Sequence, residues 1–324
     1  MIVPAIRRWF PPICLAALIA AVWALPYRPD CDSLARGDDP AIARVDSECI
    51  LLSHYTQWLR IIEAVIDNTE QGLIMDCHAG SDYQRRFKDR VNLYGPETMA
   101  LADSIRDSVL NQRAVAAGYA PSRQEVSAGL EQHRLSWERL NDMIQLVKLA
   151  QNRDLAGFTK LAAETKDPYI GTSLEYQTPA ELMEFLEQND WRQLEQMRRD
   201  NDAYVDFFGR SFGRERYWQE ILPAKLSREM AISRLEEAVL EAGRDGPHAE
   251  APRLAWLAYR QQALEGVNVE LTQAAPTGVS ADRALAYLDE VLRNEQDELG
   301  GERKVTGRRE SSQVTTPPPC PDSE

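Results

Sequence analysis

Cysteine and histidine are scarce in this chain, five and four residues among 324, and neither falls into the C-x-x-C or H-x-x-x-H spacing of zinc sites. Cys49, His54, Cys77 and His78 make no such pattern, so no metal is expected. With no G-x-G-x-x-G, Walker loop or H-E-x-x-H, no cofactor is expected either. Excess positive charge is also missing. Lys and Arg number 37 against 51 Asp and Glu, a formal charge of -14, and no basic stripe interrupts the acidic helices. Nucleic acid is therefore not an expected partner. The carboxylates are scattered over helix surfaces rather than paired for acid/base work. His133, between Gln132 and Arg134, reads as a structural residue on a helix face, and no catalytic residue is assigned.

What the chain does have is apolar bulk in helical patterns. At 44% apolar it can bury a sizeable core. Near the N-terminus Arg7 and Arg8 precede an uncharged run from Ile13 to Leu25, closed by Pro26, Tyr27 and Arg28. A positive flank before such a run predicts a membrane-directed segment over residues 1–27, either a retained signal-anchor transmembrane helix or a cleaved signal peptide. Both put the bulk of the chain on the extracytoplasmic side, periplasmic or extracellular, and the first makes it a single-pass protein of the cell membrane. Residues 28–41, rich in Asp, Arg, Pro and Gly, read as a linker. In an oxidising compartment Cys31, Cys49 and Cys77 allow three disulfide pairings, and spacing does not choose among them.

A short extended stretch, Ala41 to Asp46, precedes a helical pattern carried by Tyr55, Leu59, Ile62 and Ile66. Residues 76–94 are poorly patterned. Pro96 opens a long helix, with Ala102, Ile105 and Val109 on one face and Gly118 at its C-terminal cap. Ser122 and Glu125 then form an S-x-x-E capping box, and Thr178-Pro179-Ala180-Glu181 forms a second. Helix runs on toward Ala242, with breaks expected at Gly209 and Gly213 and a kink at Pro223. Val267, Val269 and Leu271 alternate with polar residues, which is the strand period. Ser280 caps a last helix with Leu285, Leu288, Val291 and Leu292 in one stripe. The organisation expected is thus 42–271 as a helical domain, 272–299 as a C-terminal helix and 300–324 as a disordered tail rich in Ser, Thr, Pro and charge.

The span Glu97 to Arg134 resembles the SurA-type periplasmic chaperone family, in its SurA N-terminal or trigger-factor/SurA peptide-binding domain. The likeness is carried by Ala116-Ala117-Gly118-Tyr119-Ala120-Pro121-Ser122-Arg123-Gln124-Glu125-Val126, which follows the turn between two long helices in that family. Tyr217 to Leu226 and Trp256 to Arg260, running into Val267-Asn268-Val269-Glu270-Leu271, are similar to its later helices and closing strand. Ala43-Arg44-Val45-Asp46-Ser47-Glu48 is similar to its opening strand, with Ser47 where the family carries glycine. The resemblance implies a mainly α fold: an irregular multi-helix SurA N-terminal-like domain with one small pair of short strands, Ala43–Val45 against Val267–Leu271. The H-I-L, G-G-x-L-G and G-x-H segments of parvulin isomerase domains are absent, so the chain is not expected to be an enzyme.

Implied function is a membrane-tethered extracytoplasmic chaperone-like protein, joined to the membrane by its N-terminal segment, that binds unfolded or partly folded polypeptides without catalysis. A structural or scaffolding subunit of an envelope complex is the alternative, and a peptidyl-prolyl cis-trans isomerase a weaker one. Phe207, Phe208, Phe212, Tyr217 and Trp218 are the candidate peptide-binding residues. Aromatic residues at helical spacing are more often core, and that reading competes directly with the binding one.

Overall fold

The structure is a computed structural model that describes residues 31, 38–70, 80–165, 178–187, 191–244 and 252–306. The elements in chain order are β1 (Ala41–Val45), β2 (Glu48–Leu51), α1 (Leu52–Glu70), α2 (Gly80–Tyr94), α3 (Pro96–Ala116), α4 (Arg123–Gln151), α5 (Leu155–Glu164), α6 (Pro179–Glu187) and α7 (Trp191–Phe212). There follow a single turn α8 (Arg214–Arg216), a π-helical turn (Tyr217–Ile221), α9 (Leu222–Arg244), α10 (Pro252–Leu264), β3 (Val269–Leu271) and α11 (Ala281–Thr306). The fold is mainly α with a small antiparallel sheet, as expected. Two compact units result, one from residues 1–113 with 239–324, the other from Ala114 to Ala238.

In the first unit β1 is the central strand of the order β2-β1-β3. Ala41, Ile42, Ala43 and Val45 are fully buried, so this segment reads as continuous apolar sequence rather than an alternating one. The expected pairing to the distant strand is present, with Ala43 opposite Leu271, Arg44 opposite Glu270 and Val45 opposite Val269. Arg44 and Glu270 also form an ion pair. The hairpin to β2 turns at Asp46, whose φ of 49° supplies the left-handed residue at a corner that has Ser47 rather than glycine. Gln112 fixes that corner, accepting from the Ser47 hydroxyl at 3.0 Å and donating to the Val45 carbonyl at 3.1 Å. Strand β2 went unforeseen, because four residues leading directly into a helix leave no boundary signal.

Buried Asp39 caps α1, accepting from the Ser53 N–H and hydroxyl, each at 2.7 Å. A disulfide joins Cys31 to Cys49 on β2 with a Cα separation of 5.7 Å. It ties the segment before β1 to the sheet; Cys77 lies outside the described residues. The weakly patterned stretch 76–94 is helical from Gly80, and α2 leans on α11: Arg86 pairs with Glu298 at 2.7 Å and the Tyr94 hydroxyl donates to Glu290 at 2.8 Å. Tertiary partners compensate there for a weak local pattern. Helix α3 is the core of this unit, buried nearly all round from Thr98 to Ile105.

The second unit centres on Leu146, Val147, Ala150, Phe158, Leu182 and Leu186, contributed by α4, α5 and α6. Both capping boxes form. Ser122 N–H donates to Glu125 at 2.7 Å and Thr178 N–H to Glu181 at 2.9 Å, each returned by the partner's backbone at 3.3 Å. Helices α4 and α9 run antiparallel. Glu125 pairs with Arg234, Gly129 lies against Met230, and His133 reaches Trp218 one step further along. Gly118 and Gly213 take the left-handed conformation, with φ of 85° and 89°, and end α3 and α7 as expected. Just before Pro223 the chain makes the π turn, in which Leu222 N–H bonds to Tyr217 O. One inserted residue re-registers the carbonyl ladder where proline has no N–H to offer it.

The single-pass membrane placement requires correction, together with the transmembrane and signal-anchor designations. No helix among the described residues is long and apolar enough to cross a membrane, and residues 1–27 lie outside the described set. Their apolar run is only a compositional signal, and even α11, the last long helix, is amphipathic with a charged outer face.

Candidate functional site

Helix α7 sets Tyr204, Phe208 and Phe212 one turn apart, so their rings stack along one face. Phe208 is at the centre: Tyr204 lies 4.7 Å away, Phe207 5.4 Å, Tyr217 5.6 Å and Phe212 5.7 Å, centroid to centroid. The left-handed break at Gly213 brings the π turn back over this face, which is how Tyr217 returns to Phe208. Phe208, Phe212 and Tyr217 are buried, whereas Phe207 and Trp218 are half-buried. The five candidate residues therefore divide: three pack the interior of the second unit, and two stand at its margin. Burial pushes the Tyr217 phenol up to about 12, so it stays neutral.

Trp218 adjoins Tyr217 at 5.4 Å and His133 at 6.3 Å, and His133 also meets Trp137 edge-on at 5.8 Å. Burial, and then the charge of Lys225, lower the His133 pKa against the opposing pull of Glu229. The imidazole is thus neutral near pH 7 and packed between indoles, a structural setting. Sequence spacing did not single out the apolar side chains that this unit leaves in solvent. Leu155 on α5, Phe185 on α6 and Met197 on α7 are 45%, 50% and 58% exposed, although the same helices bury Phe158, Leu182, Leu186, Val205 and Phe208.

Two arrangements bear on chemistry. Gly209-Arg210-Ser211-Phe212-Gly213 spells G-x-S-x-G. A nucleophile elbow needs a strand before the serine and a helix after it; here α7 runs through Phe212, so Ser211 rides on a helix end. In the first unit Asp103, Arg106 and Asp107 on α3 face α1. Arg106 bonds Asp103 at 2.6 Å and Asp107 at 3.2 Å and lies 5.1 Å over the Trp58 ring, while the Trp58 indole donates to Asp107 at 2.9 Å. His54 Nε2 is 3.8 Å from the same carboxylate. Burial raises the Asp103 pKa above the ordinary carboxylate value. Burial acts the same way on Asp107, but His54 and Arg106 outweigh it and hold that group low. The cluster is a charge-compensated brace between two helices.

No family model, curated protein or solved structure matches the chain.

Proposed function

We propose that this is a non-catalytic, chaperone-like protein that holds unfolded or partly folded polypeptides on the apolar side chains its second helical unit leaves in solvent. The carrying observation is Leu155, Phe185 and Met197, half-exposed on three successive helices of one small unit, with Phe207 and Trp218 half-buried at the margin of the same unit's core. Met and Phe suit such a role, because an unbranched thioether and a flat ring adapt to many client side chains. Burial of apolar area contributes about 25 cal/mol per Å2. A few such contacts, set against the cost of ordering a client, give weak and reversible binding. Support for the SurA-type resemblance comes from the return of β3 to β1, which closes the first unit in the manner that family's closing strand would.

The test uses a fluorescent, reduced and permanently unfolded client. Binding with a micromolar Kd, competed by unrelated unfolded chains and absent for the same client in its native form, is expected. Equal binding of the native form, or retention of a single stoichiometric partner and no unfolded client, would overturn the reading in favour of a dedicated scaffold. The proline-limited phase of refolding, on the order of tens to hundreds of seconds, should keep its rate; acceleration would mark an isomerase.

A further inference from the structure

A cleft of about 470 Å3 opens in the first unit where the C-terminal end of α10 passes the N-terminal third of α11. These helices are antiparallel, held by Arg260 to Glu295 and by Gln261 to Gln296 at 3.2 Å. Toward the end of α10 the contact loosens. Gly266, at φ 71°, turns the chain away toward β3, with nothing within 4 Å of where its side chain would lie. Leu264, Val267 and Leu285 stay half-buried around buried Leu288 and form an aliphatic floor. Exposed Glu265 and Asp289 stand at the lip with Gln262, and the lining contains no cationic side chain. Asp289 is shared with Arg293 in an exposed i,i+4 pair, which a competing cation displaces at little cost because such pairs contribute little in water.

We infer that this cleft is a side-chain pocket for a basic, aliphatic peptide segment, taking a leucine- or isoleucine-sized group onto the floor while a neighbouring Lys or Arg meets Glu265 and Asp289. Three features fix the class of occupant. The volume falls within the range of about 300–1,000 Å3 usual for small-ligand pockets. The floor is aliphatic and offers no ring for an aromatic group to stack on. The lip carries Glu265 and the Asp289–Arg293 pair, a net negative charge, so an acidic segment is disfavoured. The inference rests on the polypeptide-binding reading and gives that protein a second, charge-selective grip outside the unit that carries Leu155, Phe185 and Met197.

The experiment uses the full chain and three fluorescent ten-residue peptides: Leu alternating with Lys, Leu alternating with Glu, and Ser alternating with Lys. Only the Leu/Lys peptide should bind, with affinity falling as salt rises. The double variant Glu265→Lys/Asp289→Lys, confined to exposed positions, should weaken it at least tenfold and admit the Leu/Glu peptide. A control of equal charge change on α9, Glu237→Lys/Glu241→Lys, should leave it within twofold. If the control weakens binding as much as the cleft variant, or if the Ser/Lys peptide binds equally, the attraction is the general acidity of the chain and the pocket is refuted. Measuring binding of the unfolded client in parallel separates the two ideas. Client binding retained with indifferent peptides removes only the pocket, and selective peptide binding without client binding removes the chaperone reading.

Discussion

Two glycines with the same clearance should respond oppositely to alanine. A β-carbon added at Gly243 on α9 would lie 2.8 Å from the Ala255 β-carbon, and one added at Gly129 on α4 would lie 2.8 Å from the Met230 Cε. Both are about 0.6 Å inside the 3.4 Å at which ordinary contact begins. Ala255 has no torsion that moves its methyl, and Pro252 backbone atoms stand 3.7 Å from the same point. For Gly243→Ala the helices themselves must therefore separate, and overpacking of this kind costs about 1–3 kcal/mol. Gly243 is next to the last residue of α9, so little of the helix-propensity gain of about 1 kcal/mol offsets it. Met230 instead swings its terminal carbon aside. Gly129 sits mid-helix, where most of that gain is realised, so Gly129→Ala should be neutral or stabilising by up to about 0.5–1 kcal/mol. Urea denaturation followed by circular dichroism measures both. Equal destabilisation by the two variants, or a neutral Gly243→Ala, would show that helix contact at these glycines is not what sets the response.

Replacing Cys31 and Cys49 together by Ser frees a loop with a sequence separation of 18, and loop entropy predicts a loss of about 3 kcal/mol; an unchanged midpoint under oxidising conditions would contradict the bridge. Ser122→Ala should cost about 1 kcal/mol of helix-cap stability by denaturation. The cap bonds and Arg234 hold the Glu125 carboxyl at about 2 against an ordinary 4.5. A depressed pKa means this contribution is complete above about pH 4.5 and is lost as pH falls toward 2; NMR titration of the carboxyl should show that midpoint, and Ser122→Ala should raise it. Ending the chain after Glu265 removes β3 and should release amide protection at Asp46, whose N–H bonds to the Asn268 carbonyl, and unchanged exchange there would refute the pairing as a source of stability.

Local chemistry was the legible part of the fold. Ser122 with Glu125, Thr178 with Glu181, and the glycines at 118 and 213 announce helix ends because each satisfies a free backbone group or a left-handed turn within a few residues. The alternation at Val267 to Leu271 gave β3, and its shortness required a partner. Strand β2 and the π turn left no such mark, since one merges into α1 and the other is a one-residue change of hydrogen-bond ladder inside helical sequence. The division into two units was equally silent because its boundaries fall inside α3 and α9, where no linker composition appears. Among the candidate residues, spacing put Phe207 and Phe208 side by side but does not say which ring the returning π turn covers. Leu155, Phe185 and Met197 look like ordinary members of amphipathic helices until the exposure of each is known.

Light scattering from an aggregating denatured client tests the central claim most directly, comparing the wild-type chain with the triple variant Leu155→Gln/Phe185→Gln/Met197→Gln. These positions are exposed, so each change should alter stability by no more than about 0.5 kcal/mol. The account predicts that the wild type at equimolar ratio suppresses most of the scattering and that the triple variant, with an unchanged circular dichroism spectrum and melting curve, loses most of that suppression. Absence of suppression by the wild type, or full suppression by the variant, would contradict it.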